Sequence, residues 1–93
     1  MGTAIVSLKL MPKSPDTDLD VIRNEAIGMI DEFTGLEAEK KIEEVPIAFG
    51  LKSLNIIFVM KEETGSTEPL EKKLAEIPGV NSVEVTDVRR ALG

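Results

Sequence analysis

The stretch LNIIFVMKEETGSTEPLEKKLAEIPGVNSVEV, Leu54 to Val85, decides the fold. Leu54, Ile56, Phe58 and Met60 alternate with Asn55, Ile57 and Val59, so the run is apolar on both sides, as a central strand is. Glu62-Glu63-Thr64-Gly65 reads as a turn. Ser66 or Thr67 can then cap a helix that tolerates Pro69 in its first turn. Leu70, Leu74 and Ile77 fall at i, i+4 and i+7, which gives that helix one apolar face, and Glu68 with Lys72 forms a helix-favouring pair. Pro78-Gly79 ends it, and Val80, Val83 and Val85 open a last strand that runs into Asp87-Val88-Arg89-Arg90.

The N-terminal half has the same plan. From Thr3 to Met11, Ala4, Val6, Leu8 and Leu10 share one side and Thr3, Ser7 and Lys9 the other, which predicts a strand with one buried face, ended by Pro12. In the turn that follows, Asp16 or Thr17 is expected to cap a helix. Leu19, Ile22, Ala26, Met29 and Phe33 form its apolar stripe, and Gly35 stops it. Leu36 to Glu44 is charged and reads as an exposed edge strand, broken at Val45-Pro46. The order strand, helix, strand, strand, helix, strand predicts an α+β, ferredoxin-like βαββαβ sandwich, with a four-stranded antiparallel sheet and both helices on one face. At 93 residues, positions 1–93 are expected to form a single domain.

Composition removes whole classes of function. The chain has no cysteine and no histidine, which excludes thiolate metal sites, zinc sites and Ser/His or Cys/His catalysis. Its net charge of -6 repels nucleic acid, and its aromatics are three Phe, too few for a base-stacking surface. There is neither a Walker pattern nor GxGxxG, so no bound nucleotide or other cofactor is expected. No apolar run approaches the ~20 residues of a membrane span, and no signal peptide opens the chain, which gives a cytoplasmic address.

Three groups of residues are candidates for function. Pro46-Ile47-Ala48-Phe49-Gly50 is apolar at a bend where polar residues are usual. Phe49 either anchors a partner or tucks back over its own core, and spacing alone favours the second. Arg89 and Arg90 form a positive point in an acidic chain, able to pair with phosphate or carboxylate, or simply a solvated tail. Asp16, Asp18 and Asp20 start like a calcium loop, but the glycine and the distal glutamate of that loop are missing, so capping and surface charge explain them better.

PIAFGLKSLNI (Pro46 to Ile56) and VNSVEVTDVRRAL (Val80 to Leu92) closely resemble the archaeal elongation factor 1-beta family. AIVSLKLMPKSPDTDL (Ala4 to Leu19) and GSTEPLEKKLAEIPGV (Gly65 to Val80) resemble it too, so the likeness covers essentially the whole chain. The resemblance implies the same ferredoxin-like fold and a guanine-nucleotide exchange factor, not an enzyme with its own catalytic centre. Such a factor promotes exchange of GDP for GTP on elongation factor 1-alpha during translation elongation, binding the GDP form of that GTPase. It implies that Phe49, with Pro46 and Ile47 around it, enters an apolar pocket on the partner. It also aligns Arg90 with a lysine that reaches toward the partner's magnesium site, with Arg89 beside it. A monomer when free, with no direct nucleic-acid contact and no membrane contact, fits this reading.

Two other functions suit the same fold. A small-molecule-sensing or oligomeric regulatory module would dimerise edge to edge, against which stands the charged segment Glu37 to Glu44. An RNA-binding sheet needs aromatics on its open face, where Ile5, Ile57 and Val59 are poor substitutes.

Overall fold

The computed structural model describes residues 2–35 and 40–91. Its elements are β1 (Thr3–Pro12), α1 (Leu19–Thr34), β2 (Lys41–Pro46), β3 (Lys52–Lys61), a one-turn 3-10 helix (Glu62–Thr64), α2 (Glu68–Ala75) and β4 (Val80–Ala91). The four strands form one sheet in the order β2-β3-β1-β4, antiparallel throughout. This is the ferredoxin-like α+β arrangement that the strand and helix periods predict.

Register explains which side is the core. Ala4 lies opposite Met60, Val6 opposite Phe58, Leu8 opposite Ile56 and Leu10 opposite Leu54. All eight are buried, in one cluster with Ile22, Ala26 and Ile30 of α1 and Leu70 and Leu74 of α2. Because side chains alternate along a strand, the intervening residues Ile5, Ser7, Asn55, Ile57 and Val59 line the opposite face. Among the described residues that face carries no helix, so β3 is central in position but covered on one side only, contrary to the two-sided burial its composition suggests. Ile57 is accordingly 37% exposed.

The caps and ends refine the sequence reading. α1 is capped by Asp18, not by Asp16 or Thr17: one Asp18 carboxylate oxygen accepts from the N–H of Asp20 at 3.0 Å and of Val21 at 3.4 Å. Thr17 is already engaged, its hydroxyl accepting from the Ser14 N–H at 3.3 Å. Gly35, at φ 69, ends the helix as expected. The stripe of α1 includes Ile30, which the spacing reading passed over, while Leu19, Met29 and Phe33 pack on the core at its margin. Both hydroxyls before α2 are used: Ser66 accepts from the Glu68 N–H at 3.1 Å, and Thr67 donates to the Glu71 carboxylate at 2.8 Å. Ile77 is buried but lies beyond the last residue of α2.

The expected edge strand from Leu36 begins at Lys41 within the described residues; positions 36–39 lie outside them. It continues through Pro46, which pairs with Lys52. Proline is tolerated there because β2 is an edge strand, whose outer side needs no donor.

β4 contains two irregularities that the sequence reading did not anticipate: Met11 faces Ser82 while Pro12 faces Val80, so Asn81 is one extra residue, and a second lies further along. Ser7 faces Asp87 while Leu8 faces Val85, so Thr86 is an extra residue in the ladder. Val83 and Val85 share the helix side with Leu10 and Leu8. Past the bulge the parity inverts, and Val88 and Arg90 take that side, opposite Val6 and Ala4.

Candidate partner-binding surface

The hairpin between β2 and β3 is built to display its tip. Beyond the pair Pro46–Lys52 the chain reverses in a loop closed by two hydrogen bonds. The Leu51 N–H donates to the Ala48 carbonyl at 2.9 Å, and the Ile47 N–H donates to the Leu51 carbonyl at 2.8 Å. Phe49 and Gly50 are the central residues of that turn, at φ 54 and 77. Two positive φ values in succession are what a mirror-image hairpin turn requires, and its usual occupants are Asn-Gly or Gly-Gly. Phe is a costly residue at the first position, because its Cβ crowds the backbone. Among the described residues it is the one non-glycine with positive φ.

Phe49 is 94% exposed. The spacing argument that it folds back over the core therefore fails: the left-handed backbone at the turn directs the ring away from the body. Ile47, at 45%, and Pro46 are exposed beside it. An aromatic ring held in water on a strained backbone has no stabilising role within the chain.

Arg89 and Arg90 stand elsewhere. Arg90 lies opposite Ala4 and Arg89 opposite Ile5, at the β1 end remote from the hairpin. From the level of Leu10, which faces Leu54, to that of Ala4 is roughly 20 Å along β1, and Phe49 lies further out still. The body is elongated, 43 Å by 20 Å by 19 Å, which accommodates that separation. The structure thus brings Pro46, Ile47 and Phe49 together and places the arginines apart from them.

Nor do the two arginines form one positive point. Arg89 projects from the open face and its Nε pairs with Asp87 at 2.7 Å. Arg90 projects from the helix-bearing face, where its Nε approaches Glu62 at 3.4 Å. Both side chains are largely exposed, at 78% and 82%. Beside Arg90, Val88 is 57% exposed over a shallow groove floored by Ala4, Val6 and Met60. Val88 was not singled out from sequence. Its signal was there: the valines at 83, 85 and 88 break a period of two.

Among the described residues, no group of three or more acidic, histidine or cysteine side chains is placed to hold a metal ion. No helix among them is long and apolar enough to cross a membrane. Asp16 stands in the exposed turn, and Asp18 is spent on the α1 cap.

The described residues thus form an α+β sandwich with an exposed aromatic at its hairpin tip and exposed arginines toward its far end. Residues 5–91 match the family model of the EF-1 guanine nucleotide exchange domain. The chain is 46% identical over 92 residues to the elongation factor 1-beta of Methanothermobacter thermautotrophicus, covering 99% of this chain and all of that protein. It is 45% identical over 93 residues to that of Methanobrevibacter smithii, with 99% of this chain and all of that protein covered. With that of Methanosarcina barkeri it shares 41% over 90 residues, 97% of this chain and 99% of that protein. The chain belongs to the EF-1 guanine nucleotide exchange family, and its role is guanine nucleotide exchange in translation elongation. The ligand-sensing alternative is not favoured.

Proposed function

We propose that this chain binds the GDP-bound form of elongation factor 1-alpha and speeds release of GDP, so that GTP can enter. The observation that carries the reading is Phe49, 94% exposed on a left-handed backbone at the hairpin tip. Burying one Phe in a partner pocket is worth about 1.5–3 kcal/mol. Ile47 and Pro46 extend that apolar contact.

At the other end, a guanidinium is brought to the magnesium and phosphate region of the GTPase. Magnesium holds GDP in a near-ideal octahedral shell, so a small displacement of its ligands weakens it. A like charge about 4 Å away adds repulsion of roughly 4 kcal/mol at an effective dielectric of 20. Arg89 and Arg90 occupy opposite faces, so one of them performs this step. Arg90 has the support of the family resemblance, which sets it at the place of a lysine in the eukaryotic members, and of the exposed Val88 beside it.

No bond is made or broken by the chain itself. It lowers the barrier between two nucleotide-bound states of its partner and leaves unchanged, without a catalytic centre of its own. The 93 residues act as one unit, monomeric when free and cytoplasmic. The acidic body suits a GTPase that is basic because it handles tRNA, and disfavours direct nucleic-acid contact.

The test is release of a fluorescent GDP analogue from elongation factor 1-alpha into excess GTP. Substoichiometric amounts of the protein are expected to accelerate release in proportion to their concentration. An unchanged rate with an active GTPase refutes the proposal.

A further inference from the structure

Val88 faces the core side of the sheet without being covered there. It stands opposite Val6, on the side that carries the helices, yet it is 57% exposed. Val83 and Val85, on the same side of β4 before Thr86, pack against the core. α2 begins only at Glu68, and Gly65 to Thr67 before it line the groove beside Val88 instead of closing over it. A lone exposed valine is ordinary. This one owes its place to a built irregularity, because the Thr86 hydroxyl, on the extra residue, donates to the Ser7 carbonyl at 3.3 Å. In a regular ladder continued from Val83 and Val85, Val88 and Arg90 would stand on the open face. The bulge therefore carries an apolar and a cationic side chain together to the helix side.

The polar groups around the groove are already engaged. The Ser66 hydroxyl accepts from the Glu68 N–H at 3.1 Å, and the Thr67 hydroxyl donates to the Glu71 carboxylate at 2.8 Å. The Glu62 carboxylate takes the Arg90 Nε at 3.4 Å. The floor, Ala4, Val6 and Met60, is apolar and buried. What the groove leaves unmatched is the apolar surface of Val88, and an apolar side chain from outside matches it. Arg90 follows two residues later on the same side, roughly 7 Å along the strand. A molecule that reaches Arg90 from that side covers Val88 in the same approach.

We infer that Val88 is a second apolar contact with elongation factor 1-alpha, and that the helix-bearing side of β4, not the open sheet face, meets the GTPase at this end. This rests on the reading of Arg90 as the cation at the magnesium region, with which the groove is continuous. The contact takes an apolar side chain of the GTPase against Val88. It contributes to complex formation, whereas the cation acts on the step after it.

Val88→Thr tests this in the GDP-release assay, since threonine keeps the shape and the strand preference and removes apolar surface. The half-saturating concentration is expected to rise about fivefold, with the maximal rate within about twofold. The unfolding midpoint is expected to stay within about 3 °C of the parent. Two exposed residues elsewhere serve as controls: Val21 on α1, 52% exposed, and Ile57 on the open face, 37% exposed. Val21→Thr and Ile57→Thr are expected to leave the half-saturating concentration within about twofold. An unchanged value for Val88→Thr, or a larger rise for Ile57→Thr, overturns the inference. A parent that fails to speed release from an active GTPase refutes the exchange reading instead, and Arg90→Glu tests the cation by itself. A second measurement needs no variant: methyl resonances of the parent on saturation with GDP-bound elongation factor 1-alpha. Those of Val88 are expected to shift and those of Val21 and Ile57 to stay; unmoved Val88 methyls, or a larger shift at Ile57, overturn the inference. Sedimentation of the free protein is expected to give a monomer. A dimer that Val88→Thr dissociates would assign the groove to a second copy and overturn it too.

Discussion

Replacing Phe49 by Asn should make the protein more stable and less active at once. Stability first: a bulky L-residue at φ 54 carries about 1–2 kcal/mol of backbone strain that Asn largely escapes. Against this stands the burial that Phe49 gives up. It is 94% exposed, so about 6% of a ~200 Å² side chain leaves contact, some 12 Å² and about 0.3 kcal/mol at ~25 cal/mol/Å². The balance is a gain of roughly 1 kcal/mol, or about 4–8 °C in a domain of this size. Activity moves the other way, because about 1.5–3 kcal/mol of partner burial is lost, a roughly tenfold to 150-fold weaker complex. Thermal or urea unfolding followed by circular dichroism reads the first effect, and release of a fluorescent GDP analogue reads the second. A variant that melts lower than the parent refutes the argument, because Phe49 then holds the fold together. So does one that exchanges nucleotide as before, because the strain then serves something other than partner contact.

Other substitutions probe the remaining elements. Phe58→Ala empties the centre of a core where that ring is 1% exposed; a loss of about 3–5 kcal/mol in urea unfolding is expected, most of the stability of a small domain. Asp18→Ala removes the side-chain acceptor for the N–H groups of Asp20 and Val21, and should cost about 1 kcal/mol by the same assay. Arg90→Glu and Arg89→Glu both alter exposed groups, so each should leave the unfolding midpoint nearly unchanged. Exchange should fall at least about tenfold for Arg90→Glu and clearly less for Arg89→Glu; equal losses, or the reverse order, would refute the placement of Arg90 at the magnesium region.

Much of this architecture was legible because the core alternates cleanly. The alternation of Ala4, Val6, Leu8 and Leu10 and of Leu54, Ile56, Phe58 and Met60 marks two strands, whereas the apolar Ile57 and Val59 suggested a second buried face on β3 that the sheet leaves open. The stripe from Leu19 to Phe33 fixes the first helix in the same way. The α1 cap was not separable by residue type, since Asp16, Thr17 and Asp18 are all good caps and geometry alone chooses among them. Phe49 was misjudged on spacing because hydropathy says nothing about φ; the sign of that dihedral decides whether the ring turns inward or out. The arginine pair shows the opposite case. Adjacent residues on a strand face opposite ways, so Arg89 and Arg90 could have been separated from sequence alone. Which of them shares the helix side depended on Thr86, whose extra place in the ladder only the break in valine spacing betrays.

That extra residue makes β4 a strand in which length carries information apart from identity. From Ser82 to Val85, beyond a first register shift at Asn81, the faces are set by Val83 and Val85, which pack against the core. After Thr86 the chain is out of step with that core and retains only the parity the bulge gave it. Any sequence that keeps the number of residues from the bulge to Arg90 presents a cation on the helix side, whatever occupies the intervening places. A deletion of one residue there would swap the two surfaces without removing a single charge. Substitution at the solvent-facing positions is thus expected to leave this presentation unchanged, whereas a change of length by one reassigns which arginine stands on the helix side.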